Sequence, residues 1–260
     1  MLFWVPLALT WLMMAIEQPF LIAFIARLDD AKINLAAFGI AGSFAMIIES
    51  PVIMLMSAST ALVTERNSYR KLKKFTDILN AGITIVQLII LIPPVFNYIV
   101  IDIMEMPEEV ARIAHTALFI FLPWAASIGY RRFYQGILIR NNLTRWVTYG
   151  TLVRLSVIVI VGLILYNAGV KGAYVGAGAM SLAVLFEAIA TRMMVAGALK
   201  ALLHKEDTEN GNLGLRSIAK FYYPLALTSI LSIGVHPFVT FFLGRSYMPV
   251  ESLAVLPVVG

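Results

Sequence analysis

The stretch Phe3-Trp4-Val5-Pro6-Leu7-Ala8-Leu9-Thr10 returns near the far end of the chain as Phe221-Tyr222-Tyr223-Pro224-Leu225-Ala226-Leu227-Thr228, at an offset of 218 positions. The register then holds without a gap. Pro19-Phe20 returns as Pro237-Phe238, Arg27 as Arg245, Leu35-Ala36 as Leu253-Ala254 and Gly42 as Gly260. A shared apolar composition explains scattered Leu and Ala matches, but it does not place Pro, Phe, Arg and Gly in register. One unit is therefore complete by about residue 218, and a second copy begins there. This predicts a duplicated protein, of which the 260 residues are the N-terminal part.

The composition says what kind of unit is repeated. Hydrophobic residues make up 60% of the chain and charged residues 13%, with a mean hydropathy of +0.85. Soluble domains carry about 25% charged residues. The chain therefore reads as an all-α polytopic membrane protein. With no cysteine there is no disulfide and no thiolate metal site. The N-terminus lacks a basic leader region and a small-residue cleavage site, so its apolar run reads as a retained membrane helix. The net charge of +5 reads as loop bias and not as a nucleic-acid surface.

Apolar runs long enough to cross a bilayer fall at about 2–26, 34–63, 76–100, 110–137, 146–167, 172–198 and 218–244, and an eighth begins near Leu253. The connections alternate in charge. Arg66, Arg70, Lys71, Lys73 and Lys74 follow the second run, Arg131, Arg132, Arg140 and Arg145 lie in the region joining the fourth to the fifth, and Lys200, Lys205, Arg216 and Lys220 follow the sixth. The other end carries Asp29, Asp30, Asp102, Glu105, Glu108 and Glu109. Basic loops stay cytoplasmic, which predicts a cytoplasmic N-terminus and, for a prokaryotic source, residence in the plasma membrane. The expected organisation is a six-helix transmembrane bundle over 1–199 and a cytoplasmic linker over 200–217. The first helix and the start of the next, from a second parallel repeat, then occupy 218–260.

Polar groups inside the apolar runs mark candidate sites, because an unpaired charge at mid-membrane costs at least about 2.5–3.5 kcal/mol. Glu17, Gln18 and Pro19 lie deep in the first run, where the proline removes an N–H and frees a carbonyl. An acid beside such a bend can take up a cation or a proton. The second unit repeats this grammar as Val235-His236-Pro237, with a polar side chain again preceding the proline. Glu49-Ser50-Pro51 has the same form and divides evenly between a site and a structural pair. Arg154 lies about 14 Å from the basic end and Glu187 about 16 Å, at 1.5 Å per residue. Equal depth predicts an Arg154–Glu187 ion pair, structural or in contact with a substrate. Arg131, Arg132 and Arg192 are expected to snorkel to the interface, and Asp77 and Asn80 to sit there. Gly172 and Gly176 form a small-xxx-small face for close helix approach. The three histidines lack metal-ligand spacing. No nucleophile elbow or carboxylate pair suggests an enzyme, so no catalytic residue, metal or organic cofactor is expected.

Tyr134-Gln135-Gly136, followed by Arg140 and Thr144, resembles a stretch carried by MATE exporters, and Gly169-Val170-Lys171-Gly172-Ala173 resembles the entry to their sixth helix. The chain is thus similar to the multidrug/oligosaccharidyl-lipid/polysaccharide (MOP) flippase superfamily. Val5-Pro6-Leu7, Thr10, Glu17-Gln18, Arg27, Leu35-Ala36, Arg154 and Glu187 resemble the progressive-ankylosis (ANK-like) branch more closely. The resemblance implies two bundles that rock about a central cleft, exporting a small organic solute under an H+ or Na+ gradient. The ANK-like branch implies organic or phosphorylated anions, and MATE exporters imply cations. Lipid-linked saccharide flipping and a structural role without transport are the alternatives. The implied partners are the lipid bilayer, the solute and the missing C-terminal bundle; nucleic acid is not among them.

Overall fold

The computed structural model describes residues 4–204 and 214–259. The first unit opens with α1 (Trp4–Ile25) and α2 (Ala31–Ile53), which α3 (Leu55–Leu62) continues, and then α4 (Arg66–Ile90). A short α5 (Pro93–Asn97) and a π-type turn (Tyr98–Ile103) lead to α6 (Glu108–Ile120) and α7 (Leu122–Arg140). The unit closes with α8 (Thr144–Asn167), α9 (Gly172–Met194) and α10 (Ala196–Leu203); α11 (Leu215–Gly244) and α12 (Pro249–Val259) follow. Among the described residues there is no strand, and six helical stretches are long and apolar enough to cross a membrane. The chain is an all-α polytopic membrane protein.

Some helix limits and prolines recur at the offset seen in the sequence, although α11 begins seven residues ahead of the counterpart of Trp4. α2 begins at Ala31 and α12 at Pro249, which are 218 positions apart. Pro19 lies inside α1 and Pro237 inside α11. Each unit thus opens with a proline-containing helix, a short turn and a second helix. The polar boundary at 205–213 lies outside the described residues.

Three apolar runs expected to be continuous are broken, each near proline. The second is interrupted at Met54, three residues beyond Pro51. The fourth breaks at Phe121, ahead of Pro123. The third bends by 75° between Ile90 and Pro93. The Pro93-Pro94 pair cannot continue the ladder of α4, and Ile92 before it takes an extended conformation (ψ 121°). His115 of α6 compensates at this bend, its Nε2 lying 2.8 Å from the freed Leu91 carbonyl.

Each helix divides its faces between neighbours and lipid. On α1, Thr10, Glu17, Leu21 and Ile25 are buried, whereas Val5, Leu9, Leu12 and Ile16 form an exposed apolar stripe. On α9, Leu182, Phe186, Ile189 and Met193 do the same. Continuous stripes of this kind suit hydrocarbon and not water. α1 packs chiefly on α8, while α2 sits centrally against α6, α7, α9, α11 and α12. The Gly172/Gly176 face closes α9 onto the outset of the bundle as its spacing predicts. A Cβ on Gly172 would fall 2.9 Å from Ile25, and one on Gly176 would fall 2.8 Å from Phe38.

The second unit is tied to the first at both ends. At the acidic end Lys32 pairs with Glu251, and Arg245 donates to the Ile103 carbonyl at 2.9 Å. At the basic end the Tyr222 hydroxyl donates to the Pro51 carbonyl, and its ring meets Phe75 edge-on at 5.2 Å.

Candidate functional site

Helical geometry separates residues that the sequence groups together. Glu17 and Gln18 are neighbours in the chain but about 100° apart around the helix. Glu17 shares the buried face of α1 and reaches α8. Gln18 and Pro19 turn instead into a cavity of about 830 Å³ between α1 and α2, walled also by Phe121 at the break before α7 and by α7, α9, α11 and α12. Phe38, Phe121, Trp124, Met14, Met46 and Met180 supply much of its lining. Its polar points are Gln18 and a Ser43–Thr240 hydroxyl pair 2.7 Å apart, which joins α2 to α11. No charged side chain lines it among the described residues.

Behind α1 lies a cluster of buried charge. Arg154 of α8 places Nη2 2.6 Å from Glu17 Oε1 and Nε 3.5 Å from Glu187 Oε2. Arg131 of α7 donates to the same Glu187 oxygen at 2.5 Å, and Gln135 Nε2 donates to Glu187 Oε1 at 3.3 Å. Glu187 is 0% exposed, Arg131 3%, Arg154 4% and Glu17 6%, so water screens none of them. Two carboxylates face two guanidiniums, and the four charges cancel. This neutrality makes burial tolerable. Satisfaction is still incomplete, because Arg131 Nε and Gln135 Oε1 are buried without a hydrogen-bond partner. Gly150 lets α8 approach here, since a Cβ there would sit 3.3 Å from Thr191 Oγ1 and 3.6 Å from Glu187.

The Arg154–Glu187 pair predicted from equal depth is present, but Arg154 is closer to Glu17. Arg131 corrects the expectation of snorkelling. α7 runs on to Arg140, which puts Arg131 roughly 14 Å along the helix from its basic end, as deep as Arg154. That arithmetic, and the four-residue spacing of Arg131 and Gln135 on one face, were the signals available in the sequence. Asn80 is buried and donates to the Ala126 carbonyl at 3.4 Å. Asp77 stays partly exposed, paired with Lys73 at 2.9 Å. Arg192 is exposed and lies 5.4 Å over the Tyr134 ring. Glu49 is buried away from the cluster's ion pairs and accepts a hydrogen bond from Trp124 Nε1, whose ring walls the cavity. His236 stands in α11, but its side chain lies outside the described residues.

Among the described residues no three acidic or imidazole side chains converge as a metal site. The arrangement therefore offers one helix with two functions on adjacent faces: an ion pair on one and a wall of the cavity on the other. A family model described as MatE matches residues 6–165, the segment holding Glu17, Glu49, Arg131 and Arg154. No curated protein matches the chain.

Proposed function

The chain belongs to the MatE family of transporters, and from that premise we propose that it is a secondary active exporter of a small organic solute working by alternating access. One observation supports this reading above the others. α1 ties its Glu17 face to Arg154 by a single ion pair, while its Gln18-Pro19 face walls the cavity. A change of charge at Glu17 weakens the attachment of α1 to α8, and the same helix then reshapes the cavity. The Glu17–Arg154 pair is thus assigned to coupling by H+ or Na+, with Glu187 and Arg131 as its buried counterweight. Glu49 holds the cavity wall through Trp124.

The apolar lining favours a solute recognised by contact with Trp124, Phe38 and Phe121 and by hydrogen bonds at Gln18 and the Ser43–Thr240 pair. This bears on the flippase alternative. Arg131 joins Arg154 inside the bundle, which raises the count of interior arginines, but carboxylates occupy both. Neither lines the cavity, where a diphosphate would need them. A structural role without transport does not account for a cavity this large between α1 and α2.

The polarity of the loops supports a cytoplasmic N-terminus, and the matching α1–α2 and α11–α12 pairs support a bundle over 1–199 joined by a linker over 200–217 to a second parallel unit from 218. A companion bundle continuing that second unit is the proposed partner that completes the cleft.

Gly42→Trp tests the assignment of the cavity. Gly42 lines it, and a Cβ there meets nothing within 4 Å, so an indole enters empty space. Export of anionic, cationic and uncharged fluorescent dyes from vesicles is expected to fall about tenfold or more with the folded yield unchanged. Undiminished export of every dye carried by the wild type contradicts this use of the cavity.

A further inference from the structure

One guanidinium inside the bundle has no carboxylate of its own. Arg132 is half-buried on α7, eight residues before Arg140 and so about 12 Å along the helix from its basic end. Among the described residues it joins no ion pair. Its one hydrogen-bond contact runs from Nη1 to Met56 Sδ at 3.8 Å, and a thioether is a weak acceptor. Its Nε is buried without a partner. Helix direction keeps the group inside. α7 starts at the acidic end, and a helical Cα–Cβ bond tilts toward the helix N-terminus, so the side chain leaves α7 pointing away from the basic end. Met56 marks the level it reaches, one turn deeper than Thr60, whose carbonyl Arg140 caps.

The charges around Arg132 are engaged elsewhere. Those near enough to act on it are Arg131, Glu187, Arg154 and Glu49. Glu187 is held by Arg131, Arg154 and Gln135. Glu49 accepts from Trp124 and stands seven residues, roughly 10 Å, before Met56 along α2 and α3. A guanidinium in partly apolar surroundings is costly without an oxyanion to accept from its fork of N–H groups. Arg140 and Arg192, both exposed at the basic end, make the approach attractive to an anion.

We infer that Arg132 is the recognition point of a binding site for an oxyanion, a phosphate or carboxylate group that enters from the basic end and is gripped between α3 and α7. This goes beyond the transport reading and holds whether or not the chain exports a solute. The site is also separate from the cavity, because Arg132 does not line it and lies about 12 Å along α7 beyond Trp124, which does. The planar fork suits a phosphate or carboxylate bound through two parallel N–H donors. The oxyanion belongs either to a soluble solute or to the headgroup of an anionic lipid, and the two sources can be told apart.

The purified full chain in an uncharged detergent is melted while potassium phosphate or citrate replaces potassium chloride stepwise at constant ionic strength, beside Arg132→Gln. A lipid arm adds phosphatidylglycerol or phosphatidylcholine to the same micelles. The expected result is a saturable rise in melting temperature of about 2 °C or more with phosphate, with citrate or with phosphatidylglycerol, and no such rise in Arg132→Gln. A rise with the salts identifies a soluble ligand. A rise with phosphatidylglycerol and not phosphatidylcholine identifies a lipid, and either upholds the site. Arg132 has no partner whose loss would strand a charge, so Arg132→Gln is expected to fold. Arg132→Lys, which keeps the charge and loses the fork, is the second variant and is expected to need about tenfold more anion for the same rise. Equal rises in the wild type and Arg132→Gln, as exclusion of these salts from the protein surface would give, overturn the inference. A wild type that responds to none of the three ligands overturns it as well.

Discussion

Glu187→Leu is expected to remove most of the folded protein from detergent extracts, read as loss of the monodisperse peak and of the melting transition. Glu187 is fully buried and is the only carboxylate paired with Arg131 in the described structure. Leucine fills a similar volume but leaves Arg131 as an unpaired buried cation, and Arg154 with Glu17 alone. Breaking a buried pair from one side costs about 3–5 kcal/mol, a large part of the margin by which most proteins stay folded. The cost comes from the stranded charge and not from the lost contact, and this distinction can be checked. Glu187→Leu combined with Arg131→Met restores neutrality and is expected to regain much of the lost stability. If the double variant melts no higher than the single one, charge balance is not what holds α7 to α9.

Gly136 is the second position of high expected cost. α3 and α7 approach so closely there that a Cβ would lie 1.8 Å from Ser59 Oγ and 2.4 Å from the Met56 carbonyl oxygen. The hydroxyl could turn away, but the backbone carbonyl cannot. The same approach allows Ser59 Oγ to donate to the Phe133 carbonyl at 2.8 Å and Thr60 Oγ1 to the Gly136 carbonyl at 3.2 Å. Just beyond, Arg140 caps the end of α3 by donating to the Thr60 and Ala61 carbonyls at 2.7 and 3.2 Å. Overpacking costs about 1–3 kcal/mol where side chains can adjust, and more where a helix must shift. Gly136→Ala is expected to lower the melting temperature clearly, and Gly136→Val to abolish recovery of folded protein. Wild-type melting of Gly136→Ala contradicts the close approach.

Much of the architecture is legible in the sequence because the bilayer constrains it. Lipid demands long apolar helices, so the existence of the spans follows from composition, although the third is bent by 75° and six unbent stretches qualify where seven runs were expected. The in-register prolines point to a duplication, and one pair of helix starts, Ala31 and Pro249, falls at the same offset. The breaks at Met54, Phe121 and Ile92 are less legible. Proline marks their neighbourhood, but which carbonyls are lost depends on what can accommodate them, as His115 does for Leu91. The site is legible in parts. Depth alone pairs Arg154 with Glu187, yet depth is measured from helix ends. Ending the fourth span near 137 and not at Arg140 makes Arg131 look interfacial. Azimuth is the other missing quantity. Glu17 and Gln18 read as one polar patch until the neighbours of α1 place them on different faces. The bond from Trp124 to Glu49 joins residues 75 positions apart and leaves no local pattern.

The central claim is that a charge change at Glu17 drives the cavity between α1 and α2 through its cycle. Glu17→Gln is its most direct test, because glutamine keeps the shape, removes the titration and leaves Arg154 paired with Glu187, so folding should survive. Gradient-driven dye export by wild type and variant is measured in the same vesicles at matched protein content. The account predicts that the variant, although folded, loses gradient-driven export. Export by the variant at the wild-type rate under the same gradient would contradict it.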